Sequence, residues 1–190
     1  MKEKLLLVGA GGFGRVVLEH AVKEYDCAFV DDGKNIGNEI NGCKVIGKTV
    51  DLEKLFSDYH KLVVTIGNNK FREKVYKDAE RIGYDFPNII VPSVYISPYS
   101  AIGNGCVFLN NVVIQNNTRI GNGVILNPGV EIHHDSTIGN NVLIYTNSVV
   151  RSLAAVGNRA HLGSTLTIGT GVVILEDAVI EDGKTIYKER

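Results

Sequence analysis

Two hydrophobic rhythms divide the chain. In the first part, short apolar runs alternate with stretches of helical spacing. Leu5–Val8 is an apolar run that stops at Gly9, as a buried parallel strand does. Phe13 to about Lys23 has helical spacing, with Val16, Val17, His20 and Ala21 near one face. Cys27–Val30 reads as a second strand and Asp31-Asp32-Gly33 as the turn after it. The pattern then predicts a helix over Asp51–Ser57, with Asp51 as N-cap, and a strand over Leu62–Ile66 ending at Gly67. A helix over Asn69–Arg81 stops at Gly83, and Ile89–Val91 begins the next strand. This alternation predicts a small doubly wound parallel sheet over residues 1–87.

From residue 88 onward the period is six. Ile90, Ile96, Ile102, Phe108, Ile114, Ile120, Leu126, Ile132, Ile138, Ile144, Val150, Val156, Leu162, Ile168, Ile174, Ile180 and Ile186 are all large and apolar. Ile, Val, Leu and Phe make up 36 of the last 103 residues, so chance cannot fill every sixth position this way. Positions four further on are mostly small or β-branched, such as Ser100, Cys106, Thr118, Val124, Ser136 and Ala160. Gly103-Asn104, Gly121-Asn122, Gly139-Asn140 and Gly157-Asn158 recur every 18 residues, so three hexads make one turn. Gly and Asn tolerate positive φ, and these pairs are expected at the sharp corners. Residues 88–190 therefore read as a hexapeptide β-helix of five to six turns, roughly 25–27 Å tall. Its outer faces are partly apolar, which predicts self-association.

Charge follows the same division. Residues 1–87 carry 28 of the 41 charged side chains, fourteen of each sign. The net charge of −1 argues against a nucleic-acid partner bound by bulk electrostatics. No apolar stretch is long enough to span a bilayer, and the N-terminus lacks a signal-peptide pattern. Cys27, Cys43 and Cys106 are odd in number and widely spaced, which suggests reduced thiols and a cytoplasmic protein.

The first loop, Gly9-Ala10-Gly11-Gly12-Phe13-Gly14, is a G-x-G-x-x-G between a strand and a helix. There, backbone N–H groups at a helix start suit a phosphate. Asp31 and Asp32 end the second strand, where dinucleotide enzymes place a ribose-binding acid. In the second half, His134-Asp135 is a base with a carboxylate beside it. It lies two residues past the inward Ile132, toward a corner, so His134 should point outward.

The whole chain resembles the sugar O-acyltransferase family that includes sialic acid O-acetyltransferases and bacillosamine and perosamine N-acetyltransferases. The resemblance rests on several segments. They are Gly9–Gly14 with Asp31-Asp32, Gly42-Cys43-Lys44-Val45-Ile46-Gly47, Ile66-Gly67-Asn68-Asn69 with Arg72, Ile96-Ser97-Pro98, and Asn127–Asp135 running into Ile138-Gly139. It implies a Rossmann-like N-terminal domain (1–87) holding a nucleotide-linked sugar, and a left-handed β-helix (88–190). It also implies a homotrimer, acetyl-CoA as donor and no metal. By the same resemblance His134 and Asp135 are catalytic, and Gly11, Gly12 and Phe13 contact the diphosphate. Asp31 and Asp32 lie near the nucleoside base, and Gly67 packs against the ligand. Gly163 and Ser164 meet CoA through their backbone. The activity so implied is N-acetylation of a nucleotide-linked amino-sugar for surface glycans, with sialic acid O-acetylation as the alternative.

Some positions depart from the family pattern. Leu143 stands where a second histidine usually lies near the acetyl group, and Ser152-Leu153-Ala154 replaces a glycine pair. His133 reads as a surface residue, and Arg151 and Arg159 as solvated charge or as partners for CoA phosphates. Two other classes stay open at this level. A γ-class carbonic anhydrase also uses a left-handed β-helix, but His134 and His161 are 27 residues apart and face different directions. A non-catalytic sugar-nucleotide binding protein is the other.

Overall fold

A computed structural model describes residues 2–188 and divides into two units, the first ending at Ile89 and the second starting at Ile90. The first unit contains β1 (Glu3–Val8), α1 (Gly12–Ala21), β2 (Tyr25–Val30), β3 (Glu39–Ile40), β4 (Cys43–Gly47), α2 (Leu52–Leu55), β5 (Lys61–Val64) and α3 (Asn69–Ile82). Its sheet order is β3-β4-β2-β1-β5, parallel except for the β3–β4 pair. Leu6, Val8, Ala28, Val30, Leu62 and Val64 share one face with Leu52, Val75 and Ala79 from α2 and α3. Strand alternation turns Leu5, Leu7 and Phe29 the other way, where α1 packs on β1 and β2.

Several expectations shift in detail. The buried face of α1 is Gly14, Val17, Leu18 and Ala21, a 3.6-residue stripe, and Val16 is exposed. Asp51 does not cap α2. A 3₁₀ turn over Thr49–Asp51 comes first, and the Asp51 carboxylate turns back to accept the Lys48 N–H at 2.8 Å. Helix α3 starts as its sequence suggests, with Asn68 Oδ1 accepting the Phe71 N–H at 2.9 Å, and it ends on Gly83 at φ 109°. Strands β3 and β4 were not expected as strands, because charged and turn-forming residues interrupt any apolar run there.

The second unit is a coil of two-residue strands forming three parallel sheets. Strand partners lie 18 residues apart: Ile114 beside Ile132, Ile120 beside Ile138 and Leu126 beside Ile144. From Ile96 onward the every-sixth-residue apolar side chains stack inside with Cys106, Val124, Val142 and Ala160, whereas Ile90, expected to begin the series, is exposed at the end of the coil. Buried hydroxyls inside this stack are all bonded: Thr118 donates to the His133 carbonyl, Ser136 to that of Arg151 and Ser148 to that of Gly163.

The Gly-Asn corners work differently from the expectation. Positive φ falls two residues after each glycine, at Gly105, Gly123, Asn141 and Arg159. The glycines are required by close approach instead. A Cβ on Gly121 would lie 2.8 Å from the Gly139 carbonyl carbon and 2.6 Å from Asn140 Oδ1. The asparagines form a ladder, each side chain accepting the backbone N–H of the asparagine one turn earlier. Asn122 bonds Asn104 at 2.9 Å, Asn140 bonds Asn122 at 2.8 Å, and Asn158 bonds Asn140 at 2.8 Å.

Candidate functional site

The corner after strand Glu131–Ile132 carries the first group of interest. Asp135 sits at φ 61°, which lets the chain turn sharply and sets its carboxylate beside the preceding imidazole. His134 Nδ1 is 2.7 Å from Asp135 Oδ2. An ionised carboxylate only accepts, so Nδ1 carries the proton and Nε2 presents its lone pair. Ser152, one turn further along, donates its hydroxyl to that lone pair at 2.9 Å. Asn117, one turn earlier, donates to Asp135 Oδ1 at 2.6 Å, and Gln115 Oε1 accepts the His134 backbone N–H at 3.1 Å. The His134 side chain is 54% exposed, open to an incoming substrate.

Hydrogen bonds from Asn117, and then from His134, hold the Asp135 carboxyl below its usual range. A depressed carboxyl favours the folded state above the ordinary carboxyl pKa of about 4. That contribution disappears as pH falls through the depressed value. Asn117→Ala should therefore move the Asp135 titration upward, followed by the carboxyl carbon shift in NMR. An unchanged midpoint would show that the Asn117 bond does not hold the charge.

His133 points to Glu131, its Nε2 lying 3.4 Å from Oε2. His161 belongs to another sheet, directly beside Leu143, with its ring 5.3 Å from that of Tyr145. A groove of about 380 Å³ there is lined by Tyr145, His161, Gly163, Ser164, Val179, Ile180, Glu181 and Asp182. The Gly163 N–H donates to the Ile180 carbonyl at 2.8 Å and the Ser164 N–H to Asp182 Oδ1 at 2.6 Å. Both N–H groups are thus already engaged within the coil. What the groove offers are the Ser164 hydroxyl, the Glu181 and Asp182 carboxylates and apolar surface. Arg159 is committed to Glu176 and Asp177, at 2.9 Å to each, while Arg151 is exposed. Among the described residues no group of three or more His, Cys, Asp or Glu is arranged to hold a metal.

In the first unit, Gly11, Gly12, Phe13, Asp31, Asp32 and Gly67 all line one pocket of about 400 Å³, together with Thr49, Thr65, Ile66 and Phe71. Helix α1 opens into it with no capping side chain and no acid in its first turn, so its first N–H groups and dipole face an anion unopposed. The two aspartates have prior partners. Asp31 accepts the Ala10 N–H at 2.7 Å and the Gly33 N–H at 2.8 Å, and Asp32 accepts the Thr49 N–H and hydroxyl at 2.8 Å each. Asp31 thereby braces the glycine-rich loop.

Asn117 and Gln115 were not singled out in the sequence, and Ser152 was noted only as a departure from the family pattern, not as part of the site. Their signal is the 18-residue period: Asn117 stacks on Asp135, and Ser152 stacks on His134.

Comparison with known proteins adds the following. Residues 4–79 match the PglD N-terminal domain family, and residues 117–152 match the bacterial transferase hexapeptide family (six repeats). The acetyltransferase domain of PglB from Neisseria gonorrhoeae FA1090 is 27% identical and superposes with a TM-score of 0.93, over 99% of this chain and 93% of that one. The same domain in complex with acetyl coenzyme A is 28% identical, with a TM-score of 0.86 over 97% and 96%. PerB from Caulobacter crescentus, in complex with CoA and GDP-perosamine, is 28% identical, with a TM-score of 0.90 over 98% and 89%. No curated protein matches by sequence. The expected Rossmann-like domain followed by a left-handed β-helix agrees with these matches.

Proposed function

We propose that this chain, which has the paired domains of the bacillosamine- and perosamine-type sugar acetyltransferases, moves an acetyl group from acetyl-CoA to the amine of a nucleotide-linked amino-sugar. The observation that carries the chemistry is the exposed His134 imidazole, with Nδ1 tied to Asp135 and Nε2 presented as a base. Nε2 takes the proton from the amine as nitrogen attacks the acyl carbonyl. Asp135 fixes the tautomer and stabilises the imidazolium that forms.

The nucleotide end of the acceptor belongs in the pocket at the start of α1. Its diphosphate meets the free N–H groups of Gly12, Phe13 and Gly14, and Phe13 and Phe71 supply apolar walls. Gly67 packs against the ligand. With their carboxylates braced on the loop and on Thr49, Asp31 and Asp32 shape the nucleoside end. Acetyl-CoA runs along the coil past Gly163 and Ser164.

We assign a homotrimer, a reading that the placement of these pieces supports by calling for more than one copy. His134 is at the corner between strands Glu131–Ile132 and Thr137–Ile138, whereas Ser164 is at the corner between His161–Leu162 and Thr167–Ile168. Those are different corners of one coil, so a donor touching both types of residue needs two copies. The three unpaired cysteines fit a reducing compartment, and we assign the cytoplasm, where acetyl-CoA is available. No helix among the described residues is long and apolar enough to cross a membrane.

The test is CoA release from acetyl-CoA against a panel of nucleotide-linked amino-sugars, GDP-perosamine among them, with sialic acid as the hydroxyl acceptor. Release only with sialic acid would overturn N-acetylation. The pocket is tested separately. A Cβ on Gly12 meets nothing nearer than Arg15 Nη2 at 4.0 Å, so Gly12→Val should fold normally and fill the pocket. We expect calorimetry to show weaker nucleotide-sugar binding with unchanged acetyl-CoA binding. Equal loss of both would mean the pocket is misassigned.

A further inference from the structure

Helix α1 carries a cation at the end where its own dipole disfavours one. Arg15 lies in the first turn, its N–H donating to the Gly11 carbonyl at 3.1 Å, and its side chain is exposed. A helix N-terminus is equivalent to roughly half a positive charge, so a cation there is unfavourable without an anion beside it. The protein supplies no such anion. The first turn holds no acid, and the Arg15 side chain makes no hydrogen bond or ion pair with any described residue. Glu19, four residues on, is the ordinary helical partner, but an arginine that precedes its acid is the weaker order at that spacing. Helical side chains lean toward the N-terminus, and this one does: Arg15 Nη2 lies 4.0 Å from where a Cβ on Gly12 would stand. Gly12 lines the pocket of about 400 Å³.

The lining of that pocket has the wrong charge for the ligand assigned to it. Its charged side chains are Asp31 and Asp32, with no Lys, Arg or His among the lining residues. A nucleotide-linked sugar adds the two negative charges of its diphosphate. Half a charge from one helix does not balance two carboxylates and two phosphates. A guanidinium reaching over Gly12 adds a full charge, and its planar fork pairs two phosphate oxygens at once.

We propose that Arg15 closes over Gly12 onto the diphosphate of the nucleotide-linked acceptor and makes the pocket select a diphosphate over a bare nucleoside. The inference rests on the placement of the nucleotide in that pocket, given above. Backbone N–H groups at the start of α1 hold the phosphates from within, and Arg15 covers them from the solvent side. Being exposed and unpaired, Arg15 breaks no protein contact when it turns to the ligand; it gives up only side-chain freedom. The cation that is misplaced in the free protein becomes the counter-charge of the complex. A residue type set against its helix position is the kind of local conflict that functional sites retain.

CoA also contains a diphosphate, so the test separates the two sources. Calorimetry on the full-length protein uses GDP, UDP, CDP and dTDP, each beside its uncharged nucleoside, and acetyl-CoA as a separate arm. Arg15→Gln should weaken the diphosphate that the wild type binds by about 10–100-fold, the range of a charge-assisted pair, and leave the nucleoside as it was. Arg15→Lys should recover part of the loss, since it restores the charge without the fork. With an amino-sugar that turns over, Arg15→Gln should raise KM by a similar factor and change kcat little, as loss of uniform binding does. The unfolding midpoint of free Arg15→Gln should be no lower than that of the wild type, because the cation it removes opposes the dipole. Equal diphosphate affinity in wild type and Arg15→Gln would overturn the role of Arg15 and leave the pocket assignment standing. Weakened acetyl-CoA with unchanged nucleoside diphosphate would overturn it in favour of the donor. Binding of none of the four diphosphates by the wild type would overturn the pocket assignment as well.

Discussion

His134→Ala is expected to lower CoA release with the correct amino-sugar by about 10²–10⁴-fold, the usual contribution of a positioned general base. The effect should fall on kcat with little change in KM, because Nε2 acts on the proton that moves in the transition state and not on the bound ground state. The fold should survive. The imidazole is 54% exposed and makes no contribution to the aliphatic stack inside the coil, so its removal leaves no internal cavity. The turn around it is held by backbone bonds that alanine retains, such as Asp135 N–H to the Asn116 carbonyl at 3.0 Å. Stopped assays of thiol release, with thermal unfolding as the control, distinguish the outcomes. Turnover near the wild-type level in a folded His134→Ala protein would sink the base assignment, whatever the nature of the acceptor.

The second large effect is on stability. Gly14 faces the carbonyl of Gly9 across the loop so closely that a Cβ there would sit on the Gly9 oxygen, and it would also lie 3.1 Å from Thr65 Oγ1. Neither neighbour is free to retreat. The Gly9 carbonyl accepts the Thr65 hydroxyl at 2.7 Å, and the Gly9 N–H donates to Val30 at 2.8 Å. Gly14→Ala should therefore cost about 3 kcal/mol, the upper end for overpacking a fixed site. At this chain length that lowers the melting midpoint by roughly 6–12 °C. Gly12→Ala, in the same loop but open to space, is the control and should change little. Equal midpoints for the two variants would mean that the loop opens more easily than its hydrogen bonds imply.

Much of the fold could be read in the residues because one rule repeats. An aliphatic residue every six positions admits a single solution, a coil whose interior accepts those side chains in layers, and the strands fall where the period puts them. The first unit was less legible wherever the apolar signal was short. Cys43–Gly47 alternates buried and exposed residues across too few positions to stand out from its turn-forming flanks. Asp51 looked like an N-cap because its type is right, yet a 3₁₀ turn starts one turn earlier, and its carboxylate closes a local capping box on the Lys48 N–H.

The Gly-Asn pairs taught a similar lesson. Residue types that tolerate positive φ were present, but here their small size and their amide side chains were being used. His134 and Asp135 stood out because they are adjacent in sequence. Asn117 and Ser152 complete the same cluster from 18 residues away on either side, a distance at which only the repeat itself makes them neighbours.

The register of the coil also has a mechanical consequence. Its strand pairs, and the asparagine ladder beside them, hydrogen-bond each turn only to the turns before and after. A tensile load along the axis therefore meets those bonds one turn at a time, as a zipper and not as a sheared sheet. Each turn that peels away would release 18 residues at once, lengthening the chain by about 60 Å. The coil should yield in equal steps from a loaded end. The turns that carry His134 and Ser152, with intact turns on both sides, would be among the last to open.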